Sequence, residues 1–379
     1  VLIREFLKSL HGNELIIGLM LSVWMILTAI GAWAGARYRA RLSTKSVLLL
    51  LLLMAILPLG IPLDTILATR ILFLPGYEPG LLESLVLIVI LLLPLTILSG
   101  FLFGYVSRAN TSGIEIDRYY LLDSLGSLAG GIAFGALMVF FLDNIQVLAL
   151  QLLCVVLFLT FYFKMTISPI SSAILILMAV FIMSFSLIPQ GRKVLEGLRF
   201  KKEYIIEYQD TPYSNLTYTS KDDQVTAYAN SVPVLSSYDL VTSEESVHFA
   251  AAQHPDPGSF LLISGNSFGS VQEILKYQPD RIDYSEPDPA IIRLNRKYFD
   301  VPDLKALHII QTDGRRWIST QPTTYDVILS LPGDPYTLGL NRYYTLEYFR
   351  LAKKCLNRDG VLGIRVQPTG NYVNDQGVE

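Results

Sequence analysis

Six apolar stretches, each long enough to cross a lipid bilayer, constrain the fold of this chain more than any other sequence feature. A transmembrane helix needs roughly 20 such residues. The six predicted spans are residues 14–34, 46–68, 82–106, 119–142, 144–164 and 167–189. Mean hydropathy is +0.42 and only 17% of residues are charged, which lies outside the usual range of soluble domains. Residues 1–190 are therefore predicted to form a helical bundle in the bilayer.

Two of the spans carry features that affect their packing. The second span is interrupted by Pro58, Gly60, Pro62, Asp64 and Arg70, so its end is expected to be interfacial or re-entrant rather than spanning. The fourth span has GxxxG spacing, which predicts close packing against neighbouring helices. Its glycines are Gly126, Gly130, Gly131 and Gly135.

Asp123, at the start of the fourth span, admits two interpretations. An ionisable residue inside a membrane span can belong to a transport pathway. Asp123 also lies within a turn of the end of the span near Arg118 and can reach the membrane interface, and this interpretation is favoured. A transporter is the second alternative for the whole protein.

Basic residues in the short loops predict the orientation of the bundle. Arg37, Arg39, Arg41 and Lys45 lie between the first two spans, and further cations on the same face are Arg108, Arg118 and Lys164. The positive-inside rule places these loops on the cytoplasmic side of an inner or plasma membrane. The soluble part then lies on the non-cytoplasmic side, among membrane or periplasmic partner proteins. The basic residues between 192 and 202 argue for the reverse orientation.

The composition changes after the last span. Residues 191–258 are predicted to be a linker and a small antiparallel β region, because apolar and polar residues alternate between turn signals. Residues 259–379 alternate strand and helix, which predicts a Rossmann-like α/β domain with a mainly parallel sheet, of the class I methyltransferase-like type. Both ends of the chain, Val1 and Glu379, are expected to be truncated.

Candidate ligand-binding residues follow the predicted strands of this sheet. Ligands of such sheets bind at the carboxyl ends of the strands. Gly265 lies in a turn after the first strand, Glu286 after the second could accept both ribose hydroxyls, and Asp313 after the third could accept an adenine amino group. Capping of a helix is the alternative for Asp313, and it is the favoured role of Asp288.

The sequence resembles the spermidine synthase family, and more closely its membrane-fused members. The resemblance covers about residues 203–372, with further similarity in Gly12–Leu19 and Tyr120–Gly131. Its motifs are TPYSN (Thr211–Asn215), SEESVH (Ser243–His248), HP (His254–Pro255), EPDP (Glu286–Pro289), DGRRW (Asp313–Trp317), YDVI (Tyr325–Ile328), DP (Asp334–Pro335) and NRYYTLEYF (Asn341–Phe349). The resemblance implies a site for decarboxylated S-adenosylmethionine or methylthioadenosine, with the ribose at Glu286 and the adenine at Asp313.

Two departures from the family pattern affect the expected chemistry. The family has an acid-bearing glycine turn where this chain has Asn266–Phe268, and Phe268 is expected to crowd the ligand. After the fourth strand, Asp334 matches the second of two family acids, but Leu331 occupies the position of the first, which is the base. The resemblance therefore implies a non-catalytic binding or assembly subunit. An active aminopropyltransferase is the alternative.

Other chemistry has little support in the sequence. His248, oriented by Glu245, could replace the missing base, but a structural role is favoured for a lone histidine. Cys154 and Cys355 lack metal-ligand spacing, and no metal site is predicted. A net charge of -3 without basic runs argues against a nucleic-acid partner.

Overall fold

The computed structural model describes residues 1–10, 14–72, 79–108, 116–161, 169–188, 193–194, 196–200, 203–265, 267–299, 304–335 and 337–366. The chain forms two compact units, Val1–Asn215 and Leu216–Glu379. The sequence-based domain boundaries at residues 190 and 258 stay predictions.

The first unit is mostly helical. A π-helical turn, Phe134–Met138, connects its fifth and sixth helices. The elements are α1 (Leu2–Ser9), α2 (Glu14–Arg37), α3 (Thr44–Leu72), α4 (Leu81–Arg108), α5 (Ile116–Ala133), α6 (Val139–Phe141), α7 (Asn144–Phe161), α8 (Pro169–Leu187) and β1 (Tyr204–Asp210).

Within the described residues, five helical segments are long and apolar enough to cross a membrane, and they agree in extent with the first five predicted spans. The sixth predicted span corresponds to α8, in which Ile176–Phe185 is a shorter apolar segment. Helix α3 continues through Pro58 and Pro62. The second predicted span is therefore one unbroken helix, and the interfacial or re-entrant position of its end stays a prediction.

Helices α2 and α4 pack backbone to backbone. A Cβ atom added at Gly31 or Gly35 of α2 would collide with backbone atoms of α4, and one added at Gly100 or Gly104 would collide with backbone atoms of α2. Small residues allow this close approach, which places the two helices in direct van der Waals contact. The ends of the two helices are consequently held in fixed positions relative to each other.

The prediction that the fourth span packs closely against neighbouring helices of the chain is wrong. Within the described residues, a Cβ atom added at any of the four GxxxG glycines would meet no atom within 4 Å. The most apolar 18-residue stretch of the segment Asp117–Phe141 contains no buried residue. Glycine spacing marks a face that a helix can approach closely, but it does not determine which helix provides the contact.

Helix α1 is joined to the rest of the first unit by buried charges. Lys8 Nζ donates to Glu196 Oε1 at 2.5 Å, and Arg199 Nη2 lies 3.4 Å from Glu5 Oε2. Asn144, at the start of α7, donates to Glu5 Oε1 at 2.7 Å. All five side chains are nearly inaccessible to solvent.

These contacts determine the ionisation of the buried acid. Burial by itself would raise the pKa of Glu196, but the charges of Lys8 and Arg199 keep it below its ordinary value. Buried charges are tolerated in proteins when they are paired and hydrogen-bonded in this way. Glu196 is therefore ionised at neutral pH, and both cations stabilise its buried carboxylate.

The second unit begins with an antiparallel segment and continues as an α/β domain. Strand β2 starts at the boundary residue, Asn215. The elements are β2 (Asn215–Lys221), β3 (Gln224–Ala229), β4 (Val232–Ser236), α9 (Leu240–Ala251), β5 (Ser259–Ile263), α10 (Ser267–Leu275), β6 (Arg281–Ser285), α11 (Pro289–Tyr298), β7 (Leu307–Ile310), α12 (Gly314–Thr320), β8 (Tyr325–Ser330), α13 (Leu338–Asn341), a 3₁₀ turn (Arg342–Tyr344), α14 (Leu346–Lys354) and β9 (Leu356–Ile364).

The second unit has the predicted Rossmann-like architecture. Its five-stranded sheet has the order β7-β6-β5-β8-β9, and each neighbouring pair is parallel. Strands β2, β3 and β4 pair antiparallel, as the alternating sequence predicts. The central strands β5 and β8 are buried on both faces, because Leu262 and Val327 contribute to one hydrophobic cluster and Leu261 and Ile328 to another.

Candidate functional site

The carboxyl ends of three parallel strands meet at one edge of the sheet. Ile263 of β5 lies opposite Ser285 of β6 and Ser330 of β8. The residues that follow these strands, including Gly265 and Glu286, therefore share an edge. This is the edge at which open α/β sheets bind their ligands.

The turn after β5 packs tightly against the end of β8. Ser264 and Gly265 have positive φ angles of 54° and 82°, and such a conformation is uncommon for serine and typical of functional or tight turns. A Cβ atom at Gly265 would lie 2.6 Å from Leu331 Cβ. Glycine is required here because the Leu331 side chain occupies the adjacent space.

Leu331 belongs to the hydrophobic core. Its backbone N–H donates to the Ile263 carbonyl at 3.0 Å, its side chain joins the cluster that contains Leu262 and Val271, and it is 9% exposed. The neighbouring Ser330 hydroxyl accepts a hydrogen bond from Tyr348 at 2.7 Å. The residue that follows the carboxyl end of β8 therefore has an apolar side chain, and it packs against the turn after β5.

The rest of that turn is only partly described. Asn266 lies outside the described residues, and so do the side chains of Ser267 and Phe268. The expectation that Phe268 crowds a ligand therefore stays a prediction.

Glu286 is a buried acid directly after β6. Its carboxylate accepts the Asp288 backbone N–H at 3.1 Å and the Tyr284 hydroxyl at 3.4 Å, and 6% of the residue is exposed. Burial, with a contribution from the charge of Asp288, raises the pKa of Glu286 to about 7. Perturbed acids of this kind are typical of binding and catalytic sites.

Asp288 caps the helix that follows Glu286, as predicted. Its carboxylate accepts the Ala290 backbone N–H at 2.9 Å, and Pro289 occupies the first turn of α11. Asp and Pro at these positions are a favourable start for a helix. The EPDP motif thus divides its two acids between a helix cap and the site edge.

Asp313 already accepts three hydrogen bonds from the protein. It caps α12 by accepting the Arg316 backbone N–H at 3.0 Å. Its other oxygen forms an ion pair with Arg342 and accepts the Tyr343 hydroxyl at 2.5 Å. The alternative prediction of a cap is confirmed, and a ligand would compete with Arg342 and Tyr343 for this carboxylate.

Asp334 lies in the loop after β8 and is 8% exposed. Burial and the charge of Asp334 together raise the pKa of Tyr344. The Tyr344 hydroxyl donates to the Gly333 carbonyl at 2.6 Å, and Gly333 has a φ of +94°. The Tyr344 hydroxyl thus holds the loop at Gly333, and the ligand-binding roles assigned to Gly265, Glu286, Asp313 and Asp334 stay predictions.

His248 has a different partner from the predicted one. Its Nε2 lies 2.7 Å from Glu273 Oε2 and its Nδ1 lies 2.8 Å from the Tyr277 hydroxyl, whereas Glu245 is exposed. The proposal that Glu245 orients His248 is wrong, because the close crossing of α9 and α10 brings Glu273 to the ring. Both ring nitrogens are used, which agrees with the structural role favoured for His248.

Three residues of this site have no sequence signal that predicts their contacts or conformation. Arg342 and Tyr343 lie in the NRYYTLEYF motif, but they are distant from Asp313 in sequence, so their contacts with its carboxylate could not be predicted. Ser264 precedes the predicted glycine, and only the backbone angle distinguishes it. Within the described residues, no cluster of three His, Cys, Asp or Glu side chains is arranged to hold a metal ion.

Comparison with known proteins relates the second unit to one family. Residues 240–368 match the family model of the Spermine/spermidine synthase domain. The polyamine aminopropyltransferase of Thermoanaerobacter sp. (strain X514) is 27% identical over 178 residues, covering 44% of this chain and 63% of that protein. The one from Streptococcus pneumoniae serotype 4 is 32% identical over 134 residues, covering 33% and 45%. The chain thus spans less than two thirds of either relative.

Solved structures of low identity also align with the chain. The crystal structure of spermidine synthase from Thermotoga maritima is 21% identical with a TM-score of 0.39, and the match covers 42% of this chain and 56% of that one. A spermidine synthase in complex with the transition state analogue AdoDATO is 20% identical with a TM-score of 0.38, covering 42% and 55%.

Proposed function

Residues 240–368 form a spermidine synthase-like domain, and from this premise we propose that the protein is a membrane-anchored binding or assembly subunit without efficient aminopropyl transfer. Its soluble unit would bind an S-adenosyl-type nucleoside, such as decarboxylated S-adenosylmethionine or methylthioadenosine. Its partners would be other membrane or periplasmic proteins. The single observation that carries this proposal is the core packing of Leu331 at the position of the family base.

The chemistry of aminopropyl transfer explains the importance of Leu331. The amine nitrogen attacks the methylene carbon next to the sulfonium, the carbon–sulfur bond breaks, and its electron pair neutralises the sulfur to give methylthioadenosine. The attacking amine loses one proton, and a general base that accepts it typically contributes 10²- to 10⁴-fold to the rate. A leucine packed against Gly265 has no group that accepts a proton.

Retention of the nucleoside site is supported by Glu286 and Asp313. A buried carboxylate that lies at the strand edge is placed to accept ribose hydroxyls. An adenine amino group would have to share or displace the contacts of Asp313 with Arg342 and Tyr343. We therefore assign more of the binding to Glu286 than to Asp313.

The alternative is an active aminopropyltransferase that uses another base. Asp334 favours this alternative, since it is an acid of the same loop and lies close enough to influence Tyr344. The relatives in the family are named as aminopropyltransferases. An assay of the transfer reaction separates the two functions.

The nucleoside proposal predicts a pH dependence of binding. Ribose hydroxyls donate to the ionised form of Glu286, whose pKa is about 7. The ionised fraction of such a group increases about tenfold between about pH 6 and about pH 8. We therefore expect the affinity for methylthioadenosine, measured by calorimetry, to increase up to about tenfold over that interval and to be lost as the pH falls.

The matched control for this prediction is Glu286→Gln. Glutamine keeps the shape of the side chain but does not titrate, so its affinity should not change with pH. It should also be weaker at pH 8 by about 1–3 kcal/mol, the cost of a poorly satisfied polar contact. Equal affinities of the two proteins at pH 8 would exclude Glu286 as the ribose partner.

Contacts within the first unit support an orientation with the soluble unit outside the cytoplasm. Residues 196–199 and the start of α7 meet α1, which precedes α2 in the sequence. Helix α2 then runs for 24 residues to Arg37, a length of about 36 Å, comparable to the thickness of a bilayer. Residues 196–199 and Arg37 are therefore at opposite ends of this unit.

Cysteine labelling tests this orientation. A Lys353→Cys variant should react with a membrane-impermeant maleimide in intact cells, because Lys353 is exposed on α14. A Lys45→Cys variant should react only after permeabilisation, and the parent protein gives the background from Cys154 and Cys355. The reverse pattern would place the soluble unit in the cytoplasm.

A further inference from the structure

Five basic side chains cluster at one end of the first unit, where α2 and α4 end and α3 begins. All five are exposed. Within the described part of the chain, no acid forms an ion pair with any of them. We call this surface the basic end, and it consists of Arg37, Arg39, Arg41, Lys45 and Arg108.

The basic end has a fixed shape. Arg108 Nη1 donates to the Ala36 carbonyl at 2.8 Å and to the Tyr38 carbonyl at 3.4 Å, which joins α4 to the end of α2. The Leu42 backbone N–H donates to the Tyr105 hydroxyl at 2.7 Å. The glycine contacts between α2 and α4 hold the same two helices together, so the cations remain close to one another.

Like charges held together repel one another. A folded chain that keeps five cations in this way is stabilised by a ligand with several negative charges. Charge complementarity therefore points to an anionic ligand, and cations that come from the ends of three helices point to a surface with many negative groups.

Aromatic side chains beside the basic end identify that surface. The Arg37 guanidinium lies 4.2 Å from the centre of the Trp33 ring, and Trp33 and Tyr38 are 58% and 42% exposed. Exposed Trp and Tyr at the end of an apolar helix are typical of the level of lipid headgroups. The cations thus lie where phosphate groups of lipids would be.

We propose that the basic end binds the headgroups of anionic phospholipids. Each basic side chain near an anionic membrane surface strengthens association by about fivefold. Removal of three of them is expected to weaken binding by roughly a hundredfold. The inference rests on the proposed insertion of the bundle in a membrane, and it goes further by specifying which lipids bind and where.

The test compares lipid binding to purified protein in neutral detergent. Phosphatidylglycerol and phosphatidylcholine with identical acyl chains are titrated, and retained lipid is counted by native mass spectrometry. The variant Arg39→Gln/Arg41→Gln/Lys45→Gln removes three cations that make no described hydrogen bond to the fold. The matched control Lys305→Gln/Lys353→Gln/Arg358→Gln removes the same charge from exposed positions of the second unit.

The parent and the control should retain phosphatidylglycerol at least tenfold more strongly than phosphatidylcholine. The basic-end variant should lose this preference, and inorganic phosphate in tenfold excess should not displace the lipid. Raising the salt concentration should weaken retention by the parent, because exposed charges are screened. This salt dependence remains a test even if the variant does not fold.

Equal retention of the two lipids by the parent would overturn the inference. An unchanged preference in the basic-end variant, or displacement by free phosphate, would overturn it too. Carbonate extraction of membranes separates this failure from that of the proposed function. Protein that stays in the membrane pellet without lipid preference refutes only the lipid site, whereas protein released into the supernatant refutes membrane insertion as well.

Discussion

Replacing Lys8 by methionine should destabilise the contact between α1 and residues 196–199 by about 3 kcal/mol. Removing one partner of a buried ion pair typically costs 3–5 kcal/mol, because the other charge is left buried and uncompensated. The lower end of this range applies because Arg199 Nε still lies 3.3 Å from Glu196 Oε2. Methionine preserves the volume of the side chain, so the effect measures the charge.

Hydrogen exchange followed by mass spectrometry measures this effect locally. A loss of about 3 kcal/mol corresponds to roughly a hundredfold faster exchange in peptides that cover residues 2–9 and 196–210. Lys45→Met is the matched control, since Lys45 is exposed in the same unit and leaves no buried acid behind. If both variants exchange equally fast, the buried pair does not stabilise this contact.

Aminopropyl transfer to putrescine should be at least about 10²-fold slower than in a family member that has the base, and up to about 10⁴-fold slower. An alkylamine is mostly protonated at neutral pH, so the nucleophile must lose a proton during the reaction. Leu331 cannot accept it, and the hydroxyl of Ser330 donates and accepts neutral hydrogen bonds only. The expected loss of transfer rate follows from this one side chain, and the nucleoside site can still bind its ligand.

A single Leu331→Asp substitution should not restore transfer. Leu331 is 9% exposed and contacts both the hydrophobic cluster and Gly265. An aspartate in this position would be poorly solvated, and desolvation raises the pKa of a carboxylic acid. The substitution is therefore expected to destabilise the turn after β5 instead of supplying a base.

The sheet could be predicted from the sequence because its signals are local. Strands β5 (Ser259–Ile263) and β8 (Tyr325–Ser330) contain short apolar runs between turn residues, and parallel strands buried on both faces have this pattern. The helix cap by Asp288 can be predicted for the same reason, since Asp followed by Pro acts on its own helix. The order of parallel strands then placed the candidate residues at one edge.

The polar contacts of the site could not be predicted, because they join residues that are distant in sequence. The sequence favours adenine as a ligand of Asp313, because nothing in it indicates that the fold brings Arg342 and Tyr343 to this carboxylate. Similarly, His248 is bound by Glu273 of the next helix and not by its sequence neighbour Glu245. Long polar side chains can reach many partners, and only the packing of helices decides between them.

The most direct test follows the release of methylthioadenosine from decarboxylated S-adenosylmethionine and putrescine. The purified protein is compared with the polyamine aminopropyltransferase of Thermoanaerobacter at equal concentration, and binding of methylthioadenosine is measured on the same sample. We expect nucleoside binding with release at least about 10²-fold slower than in the relative, and equally slow release by the Leu331→Asp variant. Release by the parent protein at about 10 per second, a typical enzyme rate, would contradict a non-catalytic role.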